Sequence, residues 1–119
     1  MNGKIVWTDL TVINAVEIRD FYHEVLGWTH DSVSMGVYED YCMKSDDGQV
    51  VAGVCHARES NASMPAQWLI YIQVENVESS AKKAVELGGK IVEGPRNLDG
   101  KPFCVVQDPA GAMLALIEA

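Results

Sequence analysis

The chain has 119 residues, 48% of them hydrophobic and 22% charged, with 17 acidic and 9 basic side chains for a formal net charge of −8. That length suits one domain with one core, and the composition is that of a globular chain and not a disordered one. The acidic balance argues against a nucleic-acid partner, which needs clustered Lys and Arg, and no apolar run approaches the ~20 residues of a membrane span.

The opening MNGKIVWTD lacks the basic and then apolar build of a secretion signal. Cys42, Cys55 and Cys104 are odd in number with no CxxC pair, which reads as reduced thiols in a cytoplasmic protein. Lys4–Val12 alternates as a strand, with Val6, Thr8, Leu10 and Val12 on one face and Trp7, Asp9 and Thr11 on the other. Asn14 is placed to cap a helix over Ala15–Leu26, whose Ile18, Phe21, Tyr22, Val25 and Leu26 form an apolar stripe and which Gly27 ends. Trp28 begins a second strand, Ser32–Gly36 is a turn, and Val37–Lys44 is a third strand. Asp46-Asp47-Gly48 is a hairpin turn and Gln49–His56 a fourth strand.

Arg58–Ala66 is a polar linker. Beyond it come a strand at Trp68–Val74, a helix capped by Asn76 with Val77, Ala81, Ala84, Val85 and Leu87 inward, and a strand at Lys90–Glu93. A loop over Gly94–Lys101 precedes strands at Pro102–Gln107 and Ala112–Glu118. The two halves repeat. Moved forward by 62 residues, Val6 falls on Trp68, Leu10 on Ile72, Val12 on Val74, Asn14 on Asn76, Val25 on Leu87 and Gly27 on Gly89. Each half is therefore βαβββ, with module one about 4–57 and module two about 67–119 of a single domain.

FYHEVLGW (Phe21–Trp28), WLIYIQVENV (Trp68–Val77), ELGGKIVEGP (Glu86–Pro95) and QDPAGAMLALIE (Gln107–Glu118), in this order and spacing, resemble the vicinal oxygen chelate superfamily. That superfamily includes glyoxalase I, bleomycin-resistance proteins and extradiol dioxygenases. The WTDL opening and the DPAGA turn look most like a glyoxalase-like branch labelled hydroxylase, whose members mostly lack assigned reactions. The resemblance implies an α+β fold in which two tandem βαβββ modules form a curled mixed-sheet cup with helices on its outer face. It also implies a small-molecule ligand in the cup and a homodimer, within chains or by exchange of halves across the linker.

Enzymes of the superfamily hold a divalent metal through His, Glu or Gln near the start of the first strand of each half and on the last strands. Carried onto this chain, those positions fall on Trp7, Leu69, Ala115 and Ala52 or Gly53, none of which offers a lone pair to a cation. No metal and no other cofactor is expected.

By strand parity the inner wall of the first module holds Trp7, Asp9, Thr11, Gly53 and Cys55, joined by Tyr41 and Met43. The wall of the second holds Leu69, Tyr71, Gln73, Phe103, Val105, Met113, Ala115 and Ile117. An apolar and aromatic wall with a few polar groups suits a flat or apolar small molecule. Asp9 is the carboxylate on that wall and the candidate general base. Three readings follow: a metal-free binding protein for a small apolar or aromatic molecule; a lyase, isomerase or hydrolase of glyoxalase type using Asp9 or an unconventional metal site at His56; and a structural dimer whose cup is filled by its own side chains.

Overall fold

The computed structural model describes residues 2–58 and 64–119, so that 59–63 of the expected linker lie outside the described residues. The elements run β1 (Ile5–Val12), α1 (Ala15–Leu26), β2 (Thr29–Ser34), β3 (Glu39–Lys44), β4 (Val50–His56), β5 (Trp68–Gln73), α2 (Val77–Glu86), β6 (Lys90–Leu98), β7 (Lys101–Gln107) and β8 (Met113–Ile117). This is βαβββ twice, an α+β fold. The chain forms two compact units, Thr8–Trp68 and Leu69–Ala119, the latter with Met1–Trp7. The N-terminal residues join the second unit through the Gly3 N–H donating to the Gln73 carbonyl and the Gln73 N–H donating to that of Lys4, both at 2.8 Å.

Within each half the first strand pairs in parallel with the last, and the other two follow antiparallel. The order is β2-β3-β4-β1 in the first half and β5-β8-β7-β6 in the second. Each sheet buries one face under its own helix. Ala15 of α1 is fully buried, with Ile18 and Tyr22 packing onto Leu10, Val12 and Val54. Val77 and Ala81 of α2 pack onto Val74, Cys104, Val106 and Leu116. The buried stripes are narrower than expected. Phe21, Val25, Leu26, Val85 and Leu87 are more than half exposed. Ala15, Ile18 and Tyr22 recur three and four residues apart and so share the sheet-facing side, which Phe21 and Val25 leave.

The helix starts also differ. The Asn76 side chain accepts from the Ser79 N–H at 2.8 Å, and the Glu118 carboxylate accepts from the Val77 N–H at 2.8 Å. Asn14, expected to cap α1, makes no side-chain cap. Its backbone sits at φ −116° and ψ 52°, whereas Asn76 is extended at φ −145° and ψ 108°, the setting from which a capping side chain reaches the first turn. Gly27 ends α1 as expected, in the left-handed region at φ 76° with its N–H on the His23 carbonyl.

Two strand boundaries correct the sequence reading. β2 runs on through Ser34, inside the expected turn. β6 continues to Leu98, so that the expected loop over Gly94–Lys101 shrinks to a turn at Asp99–Gly100. β6 crosses Gly94–Pro95 with register irregularities between Ile91 and Arg96, which lets a strand hold residues that read as a loop.

Candidate functional site

The face of each sheet turned away from its helix is where the expected site residues fall. In the first module Asp9 of β1 lies beside Gly53 of β4, and Thr11 beside Cys55. Across β4, Gly53 pairs with Cys42 of β3, and Cys42 with Asp31 of β2. One cross-strand row therefore reads Asp31, Cys42, Gly53, Asp9. The next brings Asp40, one step past the Tyr41–Val54 pair, to the Cys55 thiol, with Thr11 beyond. Asp40 is anchored, its carboxylate accepting from the His56 N–H at 2.8 Å. Asp31 holds the Lys44 ammonium at 3.1 Å.

Burial pushes the Cys55 thiol far above its ordinary range, and the negative charges of Asp9 and Asp40 push the same way. Cys55 is thus a neutral hydrogen-bonding group at physiological pH and not a nucleophile. Cys104, on the helix side of the second module, is pushed up to about 11 by burial.

Tyr41 and Met43, expected on this face, lie on the other. Both are buried in the cluster beneath α1, and the Arg19 guanidinium of α1 lies 4.8 Å from the Tyr41 ring centre. The cause is a slip of one residue. Val54 and Leu116 both face their helices and are 62 apart (116 − 54). The residues opposite them, Tyr41 and Cys104, are 63 apart (104 − 41). The β3–β4 hairpin thus holds one residue more than β7–β8, absorbed where the register shifts between Met43 and Lys44. A slip of one residue turns every side chain of the strand to the opposite face. Asp40 and Cys42 occupy the places expected for Tyr41 and Met43. Comparing the lengths of the two hairpins is the sequence signal that reveals them.

In the second module, parity holds. Tyr71 pairs with Ala115, Ala115 with Val105, and Val105 with Glu93 of β6. Gln73 pairs with Ile117, Ile117 with Phe103, and Phe103 with Arg96. Leu69, Tyr71, Phe103, Val105 and Ala115 are buried, and Gln73 and Met113 half-buried. The Tyr71 and Phe103 rings stack at 5.8 Å with 22° between their planes. The Arg96 guanidinium lies 4.8 Å from the Phe103 centroid, and its Nε donates to Glu93 Oε1 at 2.6 Å. Arg96 escaped the sequence reading because Gly94 and Pro95 marked its stretch as loop, and Glu93, the last residue of the expected strand, was given no face.

The divalent metal that the resemblance implies does not fit these residues. Trp7 is half-buried, Leu69 and Ala115 are buried and apolar, and Gly53 has no side chain. Among the described residues no three His, Cys, Asp or Glu come together as a cation site. The His56 Nδ1 is 2.7 Å from the Glu39 carbonyl and the His23 Nδ1 2.8 Å from that of Trp28, so each ring is tied to backbone.

Two grooves open on the helix side. One of about 590 Å³ surrounds the start of α1, with Ile13, Val16, Asp20 and His56 in its wall. The other, about 540 Å³, runs between α2 and β6 past Ala81, Val85, Ile91 and Pro95. No described helix is long and apolar enough to cross a membrane.

Residues 4–116 match the profile of the Glyoxalase/Bleomycin resistance protein/Dioxygenase superfamily. Among curated proteins, the chain is 27% identical over 118 residues to the putative glyoxylase CFP32 of Mycobacterium bovis, covering 98% of this chain and 44% of that one. It is 28% identical over 127 residues to the anthracycline biosynthesis protein DnrV of Streptomyces peucetius, covering 96% and 46%. The chain thus spans less than half the length of these relatives. Among solved structures, methylmalonyl-CoA epimerase of Streptomyces coelicolor superimposes with a TM-score of 0.61 at 14% identity, covering 100% of this chain and 99% of the other. A Legionella pneumophila protein described as an NAD-dependent benzaldehyde dehydrogenase does so with 0.63 at 16%, covering 94% and 96%. At these identities the likeness is one of fold.

Proposed function

The chain belongs to the Glyoxalase/Bleomycin resistance protein/Dioxygenase superfamily, and from that premise we propose that it binds a small apolar or aromatic molecule against the helix-free sheet faces, without a resident metal and as a homodimer. The observation that carries this reading is the second module's face. Leu69, Tyr71, Phe103, Val105 and Ala115 put two stacked rings and three aliphatic side chains on one side of three strands, β5, β8 and β7, with the polar Gln73, Glu93 and Arg96 beside them. Apolar walls with a few oriented polar groups are what small-molecule sites are made of. The positions where the resemblance to the superfamily's enzymes implies metal ligands, Trp7, Leu69, Ala115 and Ala52 or Gly53, carry no donor side chain.

Native mass spectrometry of freshly purified protein tests all three parts at once. The expected result is a dimer without metal that carries an added mass lost on activation. A stoichiometric divalent ion, lost together with thermal stability on chelation, would sink the metal-free reading.

A second reading is acid–base catalysis in the first module, favoured by Asp9 and Asp40 flanking the neutral Cys55 thiol. A carboxylate held near such a group can take a proton from a bound substrate. On this reading Asp9→Asn abolishes turnover of a substrate found by screening and leaves the melting temperature within a few degrees. Unchanged turnover in that variant would remove Asp9 from any such role.

A further inference from the structure

We propose that the groove at the start of α1 is a ligand site in its own right, where His56 accepts a hydrogen bond from a small apolar molecule bearing a protonated amine. This site is separate from the helix-free sheet faces and does not depend on them.

The physical case begins with how β4 ends. His56 lies level with Val12 of β1, between β3 on one side and the passage of β1 into α1 on the other. Its ring is seated from the β3 side. Nδ1 is 2.7 Å from the Glu39 carbonyl and 3.5 Å from Asp40 Oδ1, and the rings of Tyr38 and Tyr41 pack at 5.8 and 5.9 Å. A carbonyl oxygen only accepts, so the proton of the neutral imidazole is held at Nδ1 and the lone pair stands at Nε2. Among the described residues the hydrogen bonds of the ring are all made at Nδ1. Nε2 is at the edge of the ring away from Glu39. The groove of about 590 Å³ has His56 in its wall, together with Ile13 and the first turn of α1.

This wall is open to a ligand. The His56 side chain is 22% exposed, Ile13 is 87% exposed and Val16 45%. The charges of the wall choose among ligands. Besides His56 its ionisable side chains are Glu17 and Asp20, and it holds no Lys or Arg among the described residues. Asp20 already holds the Arg19 guanidinium at 2.9 Å, so Glu17 is the main attraction for a cation. An acceptor nitrogen, a carboxylate and two aliphatic side chains fit an apolar body that ends in an ammonium, whose N–H donates to Nε2. A helix start favours anions in general, but here the acceptor nitrogen and the acidic wall oppose one. Holding the ring in place before the ligand arrives reduces the entropy lost on binding.

The test is a calorimetric titration of the full chain at pH 7.5 with three probes on one aromatic body: 2-naphthylmethylamine, its N,N,N-trimethyl derivative and 2-naphthoate. The trimethyl compound keeps the charge and lacks the donor. Wild type should bind the amine about tenfold more tightly than the trimethyl compound, the effect of one hydrogen bond to a charged group, and both more tightly than the acid. In His56→Phe, which keeps an aromatic ring beside Tyr38 and Tyr41, the two cations should bind equally. In Glu17→Gln both should weaken together with their ratio kept. In Val16→Lys, a change at an exposed helix position, both should be lost. Nitrogen NMR of the free protein should show the His56 proton at Nδ1, with the Nε2 resonance moved by the amine.

Four results would overturn the proposal. Equal binding of the two cations by wild type, or a preference that survives in His56→Phe, removes His56 as the acceptor. Tighter binding of 2-naphthoate makes the helix start an anion site instead. Binding unchanged in Val16→Lys places the ligand elsewhere, with the aromatic sheet face the next candidate. No binding of any probe removes this site and leaves the reading of the sheet faces to its own test.

Discussion

At the scale of the residue, the two faces of β3 decide what the first module can do. Strand parity was legible for β1 from its alternation, and the same two-residue step carries through β4, β5, β7 and β8, although VVAGVCH, WLIYIQ and MLALI are apolar on both faces. It failed for Tyr41 and Met43, since EDYCMK offers an aromatic and a thioether on one side and a thiol and a carboxylate on the other. The core took the larger apolar pair. Met43 is fully buried, so Met43→Ala should cost about 2–5 kcal/mol in unfolding free energy, the range for removing a long apolar core side chain. Urea titration checks this, and a loss below about 1 kcal/mol would mean that Met43 lies on an accessible face after all. Asp40 and Cys42 could be found only by noticing that one hairpin is a residue longer than its counterpart.

At the scale of the element, the repeat predicts equal helix starts, and the structure makes them unequal. Asn76 caps α2 with its side chain and Glu118 adds a second acceptor, while Asn14 contributes no side-chain bond. Asn76→Ala should therefore lower stability by about 1 kcal/mol, and Asn14→Ala by less than about 0.5 kcal/mol. Chemical denaturation of the two variants side by side separates them, and equal losses would contradict the difference in cap geometry. The same scale explains β6. Gly94 and Pro95 are loop formers by propensity, but pairing along β7 keeps the strand going through its irregularities to Leu98. Propensity is a weak prior where a neighbouring strand offers hydrogen bonds. That pairing is what sets Glu93 and Arg96 on the face with the aromatic rings.

At the scale of the whole molecule, buried thiols tie stability to pH. Cys104 is pushed up to about 11 from an ordinary 9.0, and Cys55 is raised further. Above pH 9 the unfolded chain releases these protons while the folded chain keeps them. The unfolded state then binds fewer protons, and stability falls as pH rises from about 9 toward 11. Below pH 9 both states keep the protons and these thiols add no slope. Comparing urea midpoints at pH 7.5 and 10 for wild type and Cys55→Ala should show a smaller alkaline loss in the variant, and equal losses would remove Cys55 as a cause. By itself the sequence determined the duplicated βαβββ order, the helices and the aromatic face of the second module, because these follow from periodicities that local chain geometry imposes. It also determined the absence of metal donors at the superfamily's positions, which is a matter of residue identity. Only the tertiary structure decided which face β3 turns to its helix, which asparagine caps, and that Arg96 meets Phe103. Each of these depends on register between strands or on the backbone angles of one residue, and a shift of one position leaves the local pattern almost unchanged while reversing what the side chain touches.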